Sequence, residues 1–235
     1  MSDVCVESGC WTVEQVASVE GLREVLRGIS VLKGQAPEFD LDNAPGNPVE
    51  LFSTWFRYAV DVGVVEPHAM TLSTVAADGR PSARVLILKD VDATGWHFAI
   101  NAGSRKGLEL AANPVAALTF YWPQVVRQVR ISGPVVADSP QVAAADFLAR
   151  PIGSRQIALT GRQSQIFHAD SELEDALEKA RVELEASPDS VPTGWTSYAV
   201  QPDEVEFWQG DPARLHKRLR YERIDGGWGR NRLWP

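Results

Sequence analysis

Ala69-Met-Thr-Leu-Ser-Thr-Val-Ala76, a turn at Asp78-Gly79, Arg84-Val-Leu-Ile-Leu-Lys89, a second turn at Asp92 to Gly95, and Trp96 to Ile100 together decide the fold class. Short apolar and β-branched runs bounded by Asp-Gly and Asp-x-x-Gly turns read as strands and hairpins. Val115 to Tyr121 and Val125 to Val136 repeat the pattern, so five strands fall within about seventy residues, mostly on short connections. One helix interrupts them, Ser104 to Ala112, closed by Asn113-Pro114. Such spacing predicts a barrel or sandwich and argues against a doubly wound sheet.

Working outward, a helix is expected from Asn47. Asn47 can cap it, Pro48 suits the first helical position, and Glu50 completes a box-like start. Leu51, Trp55, Tyr58 and Val62 follow at helical spacing before Gly63. Residues 1–46 read as an N-terminal arm, with a short helix within Val16 to Leu32 and an extended stretch from Ala36 to Pro48. Past residue 138 the chain turns helical. Pro140 to Ala149 stops at Pro151, and Ser171-Glu-Leu-Glu174 has the spacing of a capping box for a helix to about Ala186. Strands return at Thr196 to Val200, Glu204 to Trp208, Leu219 to Ile224 and Trp228 to Leu233. The expectation is an α+β chain with one barrel domain, 47–235, behind the arm.

Composition narrows the function. The chain has 235 residues, 44% hydrophobic and 23% charged, with a net charge of −8. That excludes disorder and argues against nucleic acid as partner by bulk charge. No run is long and apolar enough to cross a membrane. Met1 to Trp11 carries no basic residue, so no signal or transit peptide is expected. Cys5 and Cys10 are the two cysteines and have no Cys/His partners, so they read as free thiols in a cytoplasmic protein, and no metal site is expected.

Three stretches carry chemistry. Asn101-Ala-Gly-Ser-Arg-Lys106 lies between a strand and a helix, with Ser104 as cap and Arg105 and Lys106 in the first turn. Two cations there oppose the helix dipole, an arrangement that suits a bound phosphate. In the second stretch, strict alternation puts Arg84 and Lys89 on opposite strand faces, so they cannot both reach one ligand unless the strand bulges or the two serve different groups. The third is Glu206-Phe-Trp-Gln-Gly210 followed by Arg214-Leu-His216-Lys-Arg218, an aromatic beside a dense cation group. It fits a stacked, anionic, aromatic ligand, and His216 is the best candidate titrating group. No G-x-G-x-x-G follows a strand, and no Walker loop, H-E-x-x-H or G-x-S-x-G is present.

From about Asn47 to Pro235 the chain resembles the pyridoxamine 5′-phosphate oxidase family of flavoproteins. The resemblance is carried by Arg84 to Lys89, Asn101 to Lys106, Arg127-Gln-Val129, Arg150-Pro151 through Ser154, Arg162-Gln-Ser164, Glu206 to Gly210, Arg214-Leu-His216 and Arg232-Leu-Trp-Pro235. It implies a split β-barrel binding flavin mononucleotide (FMN), working as a homodimer with FMN at the subunit interface. It implies that Arg84, Val85, Leu86, Lys89, Ser104, Arg105 and Lys106 hold FMN, with Gln128, Gln163, Ser164, Trp208 and Arg218 adding contacts, some from the second subunit. Lys89, Arg150, Ser154, Arg214 and His216 match positions that hold a phosphorylated pyridine, Arg214 and His216 being the catalytic pair. The implied reaction oxidises pyridoxine or pyridoxamine 5′-phosphate to pyridoxal 5′-phosphate, with hydride passing to flavin N5 and oxygen reduced to peroxide.

Two departures stand out. A Tyr that in the family usually contacts the substrate phosphate is replaced by Asp146, and a flavin-side Tyr-Thr pair by Ala99-Ile100. A carboxylate repels a phosphate, so either Asp146 turns away or the substrate differs. The chain also resembles the phenazine-biosynthesis oxidases, which share the fold, FMN and the Arg-Leu-His segment. A non-catalytic flavin- or F420-binding module is a third reading, which the retained Arg214 and His216 argue against.

Overall fold

The computed structural model describes the backbone of residues 4–6, 9–11 and 21–235. The chain divides into two units, Met1–Lys33 and Gly34–Pro235. In the first, β1 (Val4–Val6) pairs antiparallel with β2 (Gly9–Trp11), Cys5 opposite Cys10. The two thiols themselves lie outside the described residues, as does the expected helix before Leu22. The helix α1 covers Leu22–Gly28 and buries no residue.

The second unit is an antiparallel sheet curled into a half-barrel. Its strands are β3 (Ala69–Val75), β4 (Pro81–Ile87), β5 (Asp90–Asp92), β6 (Gly95–Asn101), β7 (Val115–Trp122), β8 (Arg127–Ala137), β9 (Trp195–Val200), β10 (Glu204–Gln209), β11 (Lys217–Ile224) and β12 (Gly227–Arg232). The order runs β12-β11-β10-β8-β7-β3-β4. Long β8 pairs with β7 and β10 along its first half, and Val135 to Ala137 pair with β9, which pairs with β6. One strand shared between two ladders bends the sheet around its core.

The helix α2 (Pro48–Asp61) plugs that core. The Asn47 side chain accepts the Val49 N–H at 2.9 Å, as its cap reading predicts. Its apolar stripe buries Leu51, Phe52, Trp55 and Ala59. Phe52 meets Trp96 and Phe120 edge-on at 5.6 and 5.1 Å, and Trp55 meets Phe207 at 5.1 Å. Arg127, 4% exposed, lies 4.0 Å over the Trp55 ring and bonds the Gln209 side chain at 3.0 Å. Burial without a carboxylate pushes its pKa down to about 10.

The stretch from Gly34 to Gly46 is neither a free linker nor a loose arm. Phe39 is buried edge-on against Trp55, and side chains from the strands clasp the backbone: Gln209 to Pro37 O, Lys217 to Phe39 O and Tyr221 to Pro45 O. Its start needs glycine, because a Cβ on Gly34 would run into the carbonyl oxygens of Pro123 and Gln124.

Four further helices flank the sheet: α3 (Arg105–Ala112), α4 (Pro140–Leu148), α5 (Ile152–Leu159) and α6 (Asp170–Ala186). The capping box at Ser171 does not form. Ala169 is the cap residue, Ser171 lies inside the first turn, and Glu172 reaches back to accept the His168 N–H at 3.1 Å. The expected apolar stripe is buried only at its end, at Ala180 and Leu184.

Candidate functional site

A cavity of about 680 Å³ opens between the ends of β4 and β6 and the helices α3, α5 and α6. Its apolar wall is Val85, Leu86, Ile87, Ala99, Ile100, Ile157 and Leu173, and its polar lining includes Lys89, Asn101, Lys106, Arg150, Ser154, Gln163 and Ser164. The sequence places these groups through four local devices. The strand β4 ends at Ile87, so Lys89 lies past the alternation that separates it from Arg84. The α3 N-terminus puts Lys106 in its first turn. Gly107 lets that turn sit tight, since a Cβ there would strike the Ala102 carbonyl. Pro151 ends the α4 segment and opens α5, whose first turn carries Ser154.

The expected phosphate cradle is split in two. Lys106, 6% exposed, is pushed below the usual lysine range by burial and by the Arg84 charge, and its Nζ donates to Gln163 Oε1 at 3.0 Å. Arg84 and Arg105 instead converge on Glu109, Arg84 at 3.2 Å and Arg105 Nε at 2.9 Å. Thr74 and Ser82 donate to the same carboxylate at 2.5 and 2.6 Å. Burial pushes Glu109 up, but the two hydroxyls and two guanidiniums outweigh it and hold the carboxyl at about 2. Ser104 is fully buried, donating to Asn101 O at 2.6 Å and accepting from Gly107 N. Glu109 was invisible in the sequence, where it reads as an ordinary i,i+4 partner of Arg105.

At the opposite end, Lys89 Nζ pairs with Asp146 Oδ1 at 3.1 Å, and the other oxygen, Oδ2, accepts from Trp195 Nε1 at 3.1 Å. Asp146 therefore turns towards Lys89. Arg150 lies 4.2 Å over the Trp195 ring, donates to Ser154 O at 3.3 Å, and keeps a buried Nε with no partner. Burial pushes Arg150 below the usual arginine range, partly offset by Asp146. Trp195 is a lining residue the sequence reading missed. Its link to α4 bridges residues 49 apart, and no local pattern signals that.

The remaining candidates form a second cluster. Gln128, Trp208 and Arg218 sit side by side across β8, β10 and β11 in one register, and none lines the cavity. Trp208 and His216 have ring centroids 5.0 Å apart. Asp211 N donates to His216 Nδ1 at 3.0 Å, which leaves the proton of a neutral ring on Nε2. Buried Glu206 clamps Arg218 at 2.7 Å and Arg130 at 3.2 Å, raising the Arg218 pKa. Arg214 and Ser164 both hold left-handed backbone, φ 67° and 74°, which non-glycine residues adopt at a cost of about 1 kcal/mol or more and which clusters at functional sites.

The residues present fit FMN. A buried lysine without a carboxylate partner lines a roomy cavity with an aliphatic wall beside a helix N-terminus, and the Arg150 side chain lines the same cavity. Among the described residues no His/Cys/Asp/Glu group could hold a metal, and no helix is long and apolar enough to cross a membrane.

The comparisons agree with this geometry. Residues 59–183 match the family described as pyridoxamine 5′-phosphate oxidase, and residues 195–235 the one described as pyridoxine 5′-phosphate oxidase C-terminal dimerisation region. The pyridoxine/pyridoxamine 5′-phosphate oxidase of Pseudomonas paraeruginosa is 46% identical over 82% of this chain and 91% of its own. That of Salinibacter ruber is 44% identical over 84% and 94%. Among solved structures, PhzG of Burkholderia lata, in complex with tetrahydrophenazine-1-carboxylic acid, superposes with a TM-score of 0.77 at 30% identity, covering 86% of this chain and all of that one. The chain belongs to the pyridoxamine 5′-phosphate oxidase family and has its split-barrel fold.

Proposed function

We propose that the chain is an FMN-dependent oxidase that converts pyridoxine or pyridoxamine 5′-phosphate to pyridoxal 5′-phosphate, working in the cytoplasm as a homodimer. One observation carries the reading. Lys106, buried, and Arg150, half-buried, both line the cavity without a salt-bridge partner among the described residues, and aliphatic side chains line the same cavity. Two cations and an apolar lining suit a flavin phosphate at the first and a substrate phosphate at the second.

Lys106 would contact the FMN phosphate, with Ser104 capping the helix start beside it and Arg84 and Arg105, held by Glu109, adding positive field behind it. Val85 and Leu86 would flank the flavin, and Gln163 and Ser164 would close over it. FMN, when bound, would supply the two-electron redox chemistry, with oxygen as final acceptor. Lys89, Arg150 and Ser154 would grip the substrate phosphate. Gln128, Trp208 and Arg218, from the second copy, would complete the flavin site. Arg214 would orient the pyridine ring, and His216 would hold or release a proton at Nε2.

The test is purified, FMN-loaded protein given pyridoxine 5′-phosphate under air. Aldehyde and peroxide should appear in equal amounts, and neither product forming would overturn the reading. A second reading has one observation in its favour: Asp146 already neutralises Lys89, which favours a ligand less charged than a phosphate dianion, such as the carboxylated tricycle bound to PhzG.

A further inference from the structure

We infer that Asp146 is the residue that sets how much negative charge the substrate end of the cavity accepts. The inference rests on the reading above for the identity of the ring, and on this structure for the charge.

Three ionisable groups meet at that end, Lys89, Arg150 and Asp146. Asp146 is only 15% exposed and does not line the cavity, yet it touches two residues that do. One carboxylate oxygen pairs with the Lys89 ammonium and the other is fixed by the Trp195 indole. The carboxylate is thus held from both sides and cannot leave Lys89 without giving up the indole bond. The formal charge at this end is therefore +1. Lys89 is cancelled, and Arg150, stacked on Trp195 and lining the cavity without a salt-bridge partner among the described residues, is the remaining cation. A single positive charge matches a monoanion, such as a carboxylate or a singly ionised phosphate, and undercompensates a phosphate dianion. Asp146 acts through Lys89 and through its own field. It is a specificity residue, not a catalytic one.

The experiment compares equilibrium binding of pyridoxal 5′-phosphate and of pyridoxal to the FMN-loaded wild type, Asp146→Asn and Asp146→Ser. Asn still offers an oxygen to the Trp195 indole and preserves the shape. Ser removes the charge without preserving the shape, so agreement between the two isolates charge as the cause. The ratio of the two affinities reports the phosphate alone. Both variants should raise that ratio about tenfold, the order expected for removing one charge a few ångströms from a dianion at a partly solvated site. Affinity for pyridoxal itself should not change. An unchanged or lowered ratio overturns the inference, as does an equal gain for both ligands. If wild type binds neither ligand while Asp146→Asn binds the phosphate, the inference stands and the vitamin B6 reading of the native enzyme falls. If no protein binds either ligand, both fall.

Discussion

Two regions of the barrel carry the candidate groups, and they are built differently. The cavity side draws Lys89, Lys106, Arg150 and Ser154 from a strand end and two helix starts and encloses them. The β8–β10–β11 side lays Gln128, Trp208 and Arg218 in a row on a sheet face, with His216 and Arg214 in the loop above. The first is concave and complete in shape. The second is organised by Glu206 and Asp211, and its side chains do not line the cavity. Residues 195–235, which hold most of that face, match the family's dimerisation region, which marks the face as the one to meet a partner surface.

The largest expected effect separates scaffold from site on the cavity side. Glu109 gathers four donors and holds a pKa of about 2 against an ordinary 4.5. A depressed carboxylate stabilises the fold fully above about pH 4.5, and that stabilisation is lost as pH falls towards 2. Glu109→Gln should therefore remove about 3 kcal/mol at neutral pH. It should also flatten the acid limb of stability between pH 4.5 and 2, followed by denaturant unfolding. An unchanged acid limb would mean that the four donors do not depend on the charge.

Next comes the sheet-face side. Arg214→Ala should lower turnover about a hundredfold, because orientation of the reacting ring is lost. FMN affinity should hardly move. A loss of FMN with turnover per bound flavin intact would transfer Arg214 to the cofactor's side of the comparison.

The cofactor cations divide more finely. Lys106→Ala should weaken FMN binding ten- to a hundredfold, about 1.5–3 kcal/mol, the range for a charge-assisted hydrogen bond. Arg105→Ala should cost less, since Arg105 is 66% exposed and already paired with Glu109. Riboflavin, lacking the phosphate, should bind both variants as it binds the wild type. Equal losses for Lys106 and Arg105 would contradict the split described above. On the substrate side, Arg150→Ala should raise KM about tenfold with kcat little changed, and Lys89→Ala less, because Asp146 already occupies it.

The smallest effect is a pH dependence. Buried His97 lies between Asp138 at 3.0 Å and Asp92 at 3.1 Å. Burial works against its charge, and the two carboxylates outweigh that and raise its pKa above 6.5. Its contribution is thus complete below about pH 6.5 and is lost as pH rises through the raised value. His97→Gln should remove this alkaline decline, worth less than about 1 kcal/mol.

What the sequence disclosed follows from range. Period-two runs and Asp-Gly turns found every long strand, although β4 begins at Pro81, three residues before the expected Arg84, and Asn47-Pro48 located the start of α2 to the residue. The strand β5, three residues long, and α5, eight residues with no buried member, carry too little pattern to register. Ser171 has the spacing of a cap, but Ala169 starts the helix because Glu172 satisfies the His168 N–H from inside. Candidate residues were found where a local motif concentrated them, as at Ser104 to Lys106. Their partners were not, since Lys106–Gln163 and Lys89–Asp146 are each 57 residues apart and only the folded barrel brings them together.

The central claim is that one working site needs the cavity of one chain and the sheet face of another. Mixed dimers test it. One chain carries Lys106→Ala with Arg150→Ala, and the other carries Arg214→Ala with His216→Ala. Each homodimer should be nearly inactive on pyridoxine 5′-phosphate. Statistical mixing should restore about a quarter of wild-type turnover, because half the dimers are mixed and each holds one intact site of two. Activity no greater than that of the two parent homodimers would contradict the claim and place both clusters in the service of one chain.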